Sequence, residues 1–138
     1  MNSLHCLLFL APPKFIEKLP QYTGALHTSH DVHLSCRVEC SPICSIKWLK
    51  NRKLINTNAG SLYNIHNVIL PSDPSTSDFE SIHSTLKWNM TAWPGGRLDR
   101  IHDNASYTCE SSDNPVGSGV KGSTILGVEC TYHINLFA

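Results

Sequence analysis

The sequence predicts an all-β protein, a sandwich of two antiparallel sheets, on three observations. Apolar and polar residues alternate with a period of two in segment after segment, as they do in strands buried on one face. Clusters of Pro, Gly, Asn, Asp and Ser punctuate those segments at short intervals. No stretch sustains a 3.6-residue apolar period beyond two turns, so helices do not organise the chain. About seven short strands over about 115 residues fit a two-layer β architecture.

The elements follow in order. Residues 1–12, "MNSLHCLLFLAP", read as an apolar leader or the remnant of an upstream segment. Leu4 to Ala11 resembles a short signal-peptide core, but no Lys or Arg precedes it and no small-x-small cleavage site follows. A first strand lies in "PPKFIEKLP". "DVHLSCRVEC" places Val32, Leu34, Cys36, Val38 and Cys40 on one face, and "CSIKWLK" does the same with Cys44, Ile46 and Trp48. "LKNRKLI" reads as a hairpin around Asn51 and Arg52. The stretch from Asn56 to Ser81 shows no clean strand, and its "LPSDPSTSDFES" end reads as a flexible excursion. "STLKWNM" aligns Leu86, Trp88 and Met90, "AWPGGRLDR" carries a Pro-Gly-Gly turn, and "ASYTCES" aligns Tyr107 with Cys109. "SSDNPVGSGV" is a further turn into a last strand, "KGSTILGVE", and residues 129–138 form a tail outside the domain.

Composition narrows the function classes. Eleven basic residues balance eleven acidic ones, so no basic stripe exists to hold nucleic acid or an anionic membrane. No run reaches the ~20 apolar residues that span a bilayer. Charged residues make up 16% of the chain against the ~25% usual for soluble domains. Ser, Thr, Asn and His supply the polarity instead, a balance common in secreted glycosylated modules. The six cysteines, Cys6, Cys36, Cys40, Cys44, Cys109 and Cys130, are an even set that favours an oxidising compartment. Two glycosylation sequons, "NMT" at Asn89 and "NAS" at Asn104, agree. Three cysteines within nine residues ahead of Trp48 leave three readings open: a metal knuckle, a redox centre or a disulfide-stapled fold.

Four features at matching separations decide among them. Cys36 and Cys109 lie 73 positions apart, Trp48 follows the first cysteine by twelve, and "DNASYTC" sets Asp103 and Tyr107 before the second. This pattern resembles the immunoglobulin superfamily, of the I-set or C2 type, over residues 13–128. The resemblance implies an immunoglobulin-like sandwich whose sheets are joined by a Cys36–Cys109 disulfide packed on a core of Trp48, Leu34, Leu86, Trp88 and Tyr107. The Tyr107 hydroxyl would turn back to the chain upstream. With Cys36 so committed, Cys40 and Cys44 share the inward face near Pro42, and a second, local disulfide is the expected arrangement. Free buried thiols and zinc are the alternatives; a zinc site lacks its second ligand pair, and no C-x-x-C redox motif is present. Two departures stand out: the inserted "WPGG" before Asp103, and the lack of an Arg to pair with Asp103, which puts that salt bridge in doubt.

Catalysis has no support. His27, His30 and His33 stand at three-residue steps, which alternate faces on a strand and prevent convergence on a metal. No serine sits in a nucleophile elbow or beside a glycine-rich oxyanion loop. The expectation is therefore no enzyme, no cofactor and no metal. The resemblance is to modules of invertebrate neural and epithelial adhesion receptors, echinoid-like and nephrin/irregular-chiasm-like. It implies an extracellular recognition module, part of a plasma-membrane receptor ectodomain or secreted. Its partner would be a protein, the same chain or another receptor of the family, with no nucleic acid and no direct membrane contact. The candidate contact residues are Lys47, Leu49, Lys50 and Glu110 on one sheet, and Trp93. For Trp93 two readings stand, an exposed anchor or a cover over the base of the sandwich. Glycans on Asn89 and Asn104 would keep their own surfaces clear of partners. A secreted immune-type protein that binds microbial surfaces and a structural spacer are the alternative functions.

Overall fold

A computed structural model describes residues 10–58 and 60–130. Its strands form two sheets, one of four strands and one of five. The four-stranded sheet contains β1 (Ala11–Glu17), β3 (His33–Ser41), β7 (Ser81–Trp88) and β6 (Tyr63–Leu70), in that order and wholly antiparallel. The five-stranded sheet orders β2 (Tyr22–Leu26), β9 (Lys121–Glu129), β8 (Ala105–Ser111), β4 (Ile46–Lys50) and β5 (Lys53–Leu54). Between Glu17 and Tyr22 the chain crosses from one sheet to the other, and β2 then runs parallel to β9. That one parallel pair departs from the all-antiparallel expectation. β1 starts at Ala11, so Ala11 and Pro12 already belong to a sheet rather than to the segment before the domain.

The alternation read from the sequence is the alternation of burial. Along β8 the residues 105, 107, 109 and 111 are buried and those between are half-buried. Trp48, Leu86, Tyr107, Cys36, Cys109 and Leu126 are fully enclosed, and Leu34 and Trp88 nearly so. Cys36 and Cys109 are disulfide-linked and join β3 to β8 across the two layers. The Trp48 indole N–H also crosses the layers, donating to Ser84 Oγ at 2.8 Å. Cys40 and Cys44 are linked as well, in a satellite cluster with Val38 and Ile82. By loop-closure entropy the 73-residue bridge is worth about 4 kcal/mol and the four-residue bridge about 2.

The segment 56–81, read from sequence as strandless, contains β6, which pairs with β7 through its full length. Only Tyr63 and Ile65 of β6 pack on the core, while Asn64, His66, Asn67, Val68 and Ile69 are exposed. An edge strand that is wet on most of both faces carries no period-two signal. The hairpin between β4 and β5 turns at Asn51 and Arg52, both with positive φ (49° and 70°), as a tight two-residue turn requires.

The corner before β8 departs furthest from expectation. Asp99 caps the single-turn helix α1 (Arg100–Asp103), its Oδ1 accepting from the Ile101 amide at 2.9 Å. Asp103 ends that turn fully buried. Its Oδ1 accepts the Trp88 indole N–H at 3.2 Å, and its Oδ2 accepts the Trp93 indole at 3.1 Å and the Asp99 amide at 2.6 Å. The carboxylate is therefore met by neutral donors instead of a guanidinium, and Trp93 comes from the inserted "AWPGG" segment. The Tyr107 hydroxyl donates to the Asp103 carbonyl at 3.0 Å, closing the corner. Tyr63 stacks edge-on against both Trp88 and Trp93 (5.2 and 5.6 Å between centroids). Burial raises the hydroxyl pKa of both Tyr63 and Tyr107.

Candidate functional site

The outer face of the five-stranded sheet can be built row by row from its register. Lys47, Glu110 and Lys121 lie side by side on β4, β8 and β9, and the Lys47 ammonium stands 3.8 Å from the Glu110 carboxylate. The next row runs Leu54, Leu49, Thr108, Ser123, with the Thr108 and Ser123 hydroxyls bonded at 2.7 Å. A third row sets Ser106, Ile125 and Tyr22 together. Three large apolar side chains stand well out of these rows: Leu54 (66% exposed), Ile125 (54%) and Tyr22 (54%). Leu49 faces outward, opposite in sense to Trp48, and is half-buried between Leu54 and Thr108. The face thus alternates charge, hydroxyl and apolar patch, a composition common on protein-binding surfaces.

The parallel β2–β9 pair shapes one end of the face. Gly127 has no side chain, and a Cβ there would sit 2.3 Å from the Tyr22 hydroxyl oxygen, so the ring lies flat over it. The hydroxyl donates to Glu129 Oε1 at 3.1 Å, and this bond raises its pKa above the ordinary value. Tyr22, Leu54 and Ile125 were missed by sequence reasoning. Leu54 and Ile125 carry a usable signal, an apolar residue on the polar side of an alternating strand.

Two candidate contact residues are corrected. Trp93 is buried, with its indole N–H spent on Asp103, so it covers the base of the sandwich and is not an exposed anchor. Lys50 lies two residues after Trp48 and so on the inward side of β4, where its ammonium donates to the His102 carbonyl. That bond ties the end of β4 to the α1 corner and withdraws Lys50 from the Lys47 face. The other candidates, Lys47, Leu49 and Glu110, lie together on it.

Of the sequon residues, Asn104 is exposed at the end of α1, and its Oδ1 accepts from the Val128 amide at 2.7 Å. Asn89 is half-buried just past β7, with the Thr91 hydroxyl donating to its Oδ1 at 2.7 Å. Both lie outside the three rows of the face. His33 pairs with Asp31 at 3.2 Å, and His27 holds the chain by its backbone to Glu129 and Leu98. No cluster of three or more metal-ligating side chains occurs among the described residues. A hollow of about 250 Å³ beside the α1 corner is lined by Lys50, Leu62, Trp93, Asp99 and His102, none of them a serine or cysteine nucleophile. Cys130 is exposed and unpaired, while Cys6 lies outside the described residues.

Searches of protein-family models and of curated sequences return no match. Solved structures do match. Tandem Ig repeats of Dlar share 24% identity with a TM-score of 0.56, over 85% of this chain and 48% of that one. The titin I-band fragment I67–I69 gives 21% identity and a TM-score of 0.60, over 88% and 34%. Titin domains Z1Z2 in complex with telethonin give 18% and 0.62, over 90% and 50%. The fold is that of an immunoglobulin domain. The chain spans about half or less of each of these multi-domain structures, so the likeness shows the fold of one module and no more.

Proposed function

We propose that this immunoglobulin domain is an extracellular recognition module that binds another protein through the outer face of its five-stranded sheet. The observation that carries the reading is the arrangement of that face. Exposed Leu54, Ile125 and Tyr22 flank a Lys47–Glu110–Lys121 charge row whose alternating signs suit a complementary polypeptide. Two disulfides support an oxidising compartment. A glycan on Asn89 would stand away from the face, while Asn104 lines the same hollow as Tyr22, Ser106 and Ile125, so a glycan there would occupy that end and leave the Lys47 and Leu49 rows to a partner. Dlar, among the structural neighbours, is a receptor protein tyrosine phosphatase. An adhesion receptor ectodomain resembling echinoid-like and nephrin-like modules is the specific setting proposed.

The test is binding of a multimerised, fluorescent form of the domain to cells, compared with Leu49→Asp. The substitution places a carboxylate between Leu54 and Thr108 on the outer side of the sheet. The proposal expects binding to fall at least tenfold (roughly 1.4 kcal/mol) while the variant still unfolds cooperatively at a lower melting temperature. Equal binding by both forms would remove the face from the account. No binding by the wild type would favour the structural spacer.

A further inference from the structure

Each sheet of an open sandwich has two edges, and an edge strand presents unpaired amides and carbonyls that invite another strand unless something blunts it. Three of the four edges here are blunted. β1 carries Pro12, Pro13 and Lys14 and two register shifts against β3. β5 is two residues long and contains Lys53. β2 is five residues long and interrupted by Gly24. The fourth edge, β6, is eight residues, "YNIHNVIL", with no proline, no glycine and no Asp, Glu, Lys or Arg. It leaves Val68 and Ile69 exposed, Ile69 by 57%.

The register shows which backbone groups are open. The Asn89 amide donates to the Leu62 carbonyl at 2.8 Å, so by antiparallel alternation residues 64, 66, 68 and 70 exchange hydrogen bonds with β7. Residues 63, 65, 67 and 69 then turn theirs to the open edge. The Tyr63 amide is taken up locally by Ser61 Oγ at 3.1 Å. The remaining donors, on Ile65, Asn67 and Ile69, are spaced symmetrically about Asn67.

We infer that β6 pairs with β6 of a second copy of this chain, antiparallel about a two-fold axis at Asn67, to make one continuous eight-stranded sheet. That register sets Asn67 opposite Asn67 of the second copy and Ile65 opposite Ile69, in hydrogen-bonded pairs that use all three open amides of each strand. It also sets His66 opposite Val68, so that both exposed apolar residues gain a cross-strand neighbour. A second copy fits better than an unrelated strand because the donor set is self-complementary and neither strand brings an Asp, Glu, Lys or Arg to repel the other. Asn89 lies opposite Leu62, outside the 65–69 stretch. The inference stands apart from the contact proposed for the five-stranded sheet, which lies on the other layer.

The experiment is sedimentation of the full chain secreted from eukaryotic cells, its free thiols alkylated under native conditions, up to millimolar concentration. Wild type is compared with Asn67→Pro, Ile69→Lys and Leu49→Asp. Proline at 67 removes only an edge-facing N–H, so β6 keeps its ladder to β7, and a lysine at 69 is the charge that other edges use. The expected result is a wild-type dimer weakened at least tenfold by Asn67→Pro and by Ile69→Lys, with Leu49→Asp still dimeric. A monomeric wild type overturns the inference. So does a dimer that survives both β6 variants. A dimer lost only in Leu49→Asp overturns it too and places self-contact on the five-stranded sheet.

Discussion

Replacing Asp103 with alanine removes the acceptor for two buried indoles, of Trp88 and Trp93, and for the half-buried amide of Asp99. A donor stranded in this way costs roughly 1–3 kcal/mol. Partial entry of water offsets some of the sum, which leaves a loss of about 4 kcal/mol. At roughly 4 °C per kcal/mol for a domain of this size, the melting temperature should fall by about 15 °C. Asp103→Asn keeps one oxygen able to accept but turns an NH2 towards donors, so about half that loss is expected. The assay is urea and thermal unfolding followed by tryptophan fluorescence, with the two indole N–H signals read by NMR. A cycle with Trp93→Phe isolates one bond: the phenylalanine should cost about 1 kcal/mol more in the wild type than beside Asp103→Ala, the packing loss being common to both. An Asp103→Ala domain within about 1 kcal/mol of wild type would refute the reasoning, because the three donors would then be satisfied without the carboxylate.

Two further predictions rest on single positions. Arg52 holds φ at 70° in the β4–β5 turn, a conformation that costs a side-chain-bearing residue roughly 1–2 kcal/mol and glycine almost nothing. Arg52→Gly should stabilise the domain by about 1 kcal/mol in urea unfolding after the entropy that glycine adds to the unfolded chain; a loss would contradict the turn assignment. Asp99 is held below its ordinary pKa of 3.8 by the bond from the Ile101 amide and by His102, and Asp73 by its bonds from Ser75. A carboxyl lowered in the folded state stabilises above its unfolded pKa and loses that contribution as pH falls through the folded value. These two groups should leave the melting temperature level above the ordinary 3.8 and pull it down at lower pH, a slope that Asp99→Asn should make shallower.

Much of this architecture was legible because the information is local. Val32 to Val38, Ile46 to Trp48, Leu86 to Trp88 and Tyr107 to Cys109 alternate cleanly, their apolar residues all turned to the dry side of a sheet. The features that escaped depend on distant partners. β2 forms only because β9 lies alongside it, a hundred residues further on in the chain. β6 is an edge with little buried, so its sequence owes nothing to a two-faced pattern. Trp93 is buried because Asp103 needs a donor that no arginine supplies. The missing arginine and the extra tryptophan were both visible in the sequence, and an aspartate enclosed by a fold must find N–H groups somewhere. The period-two rule that sends Leu49 outward sends Lys50 inward, away from the face of Lys47 and Glu110.

The proposed extracellular setting requires that both disulfides form and persist in the secreted protein. The most direct measurement is a peptide map, without reduction, of the protein secreted from eukaryotic cells. The account predicts Cys36 linked to Cys109, Cys40 linked to Cys44, and glycans on Asn89 and Asn104. Cys40 and Cys44 recovered as free thiols, with both asparagines bare, would contradict it.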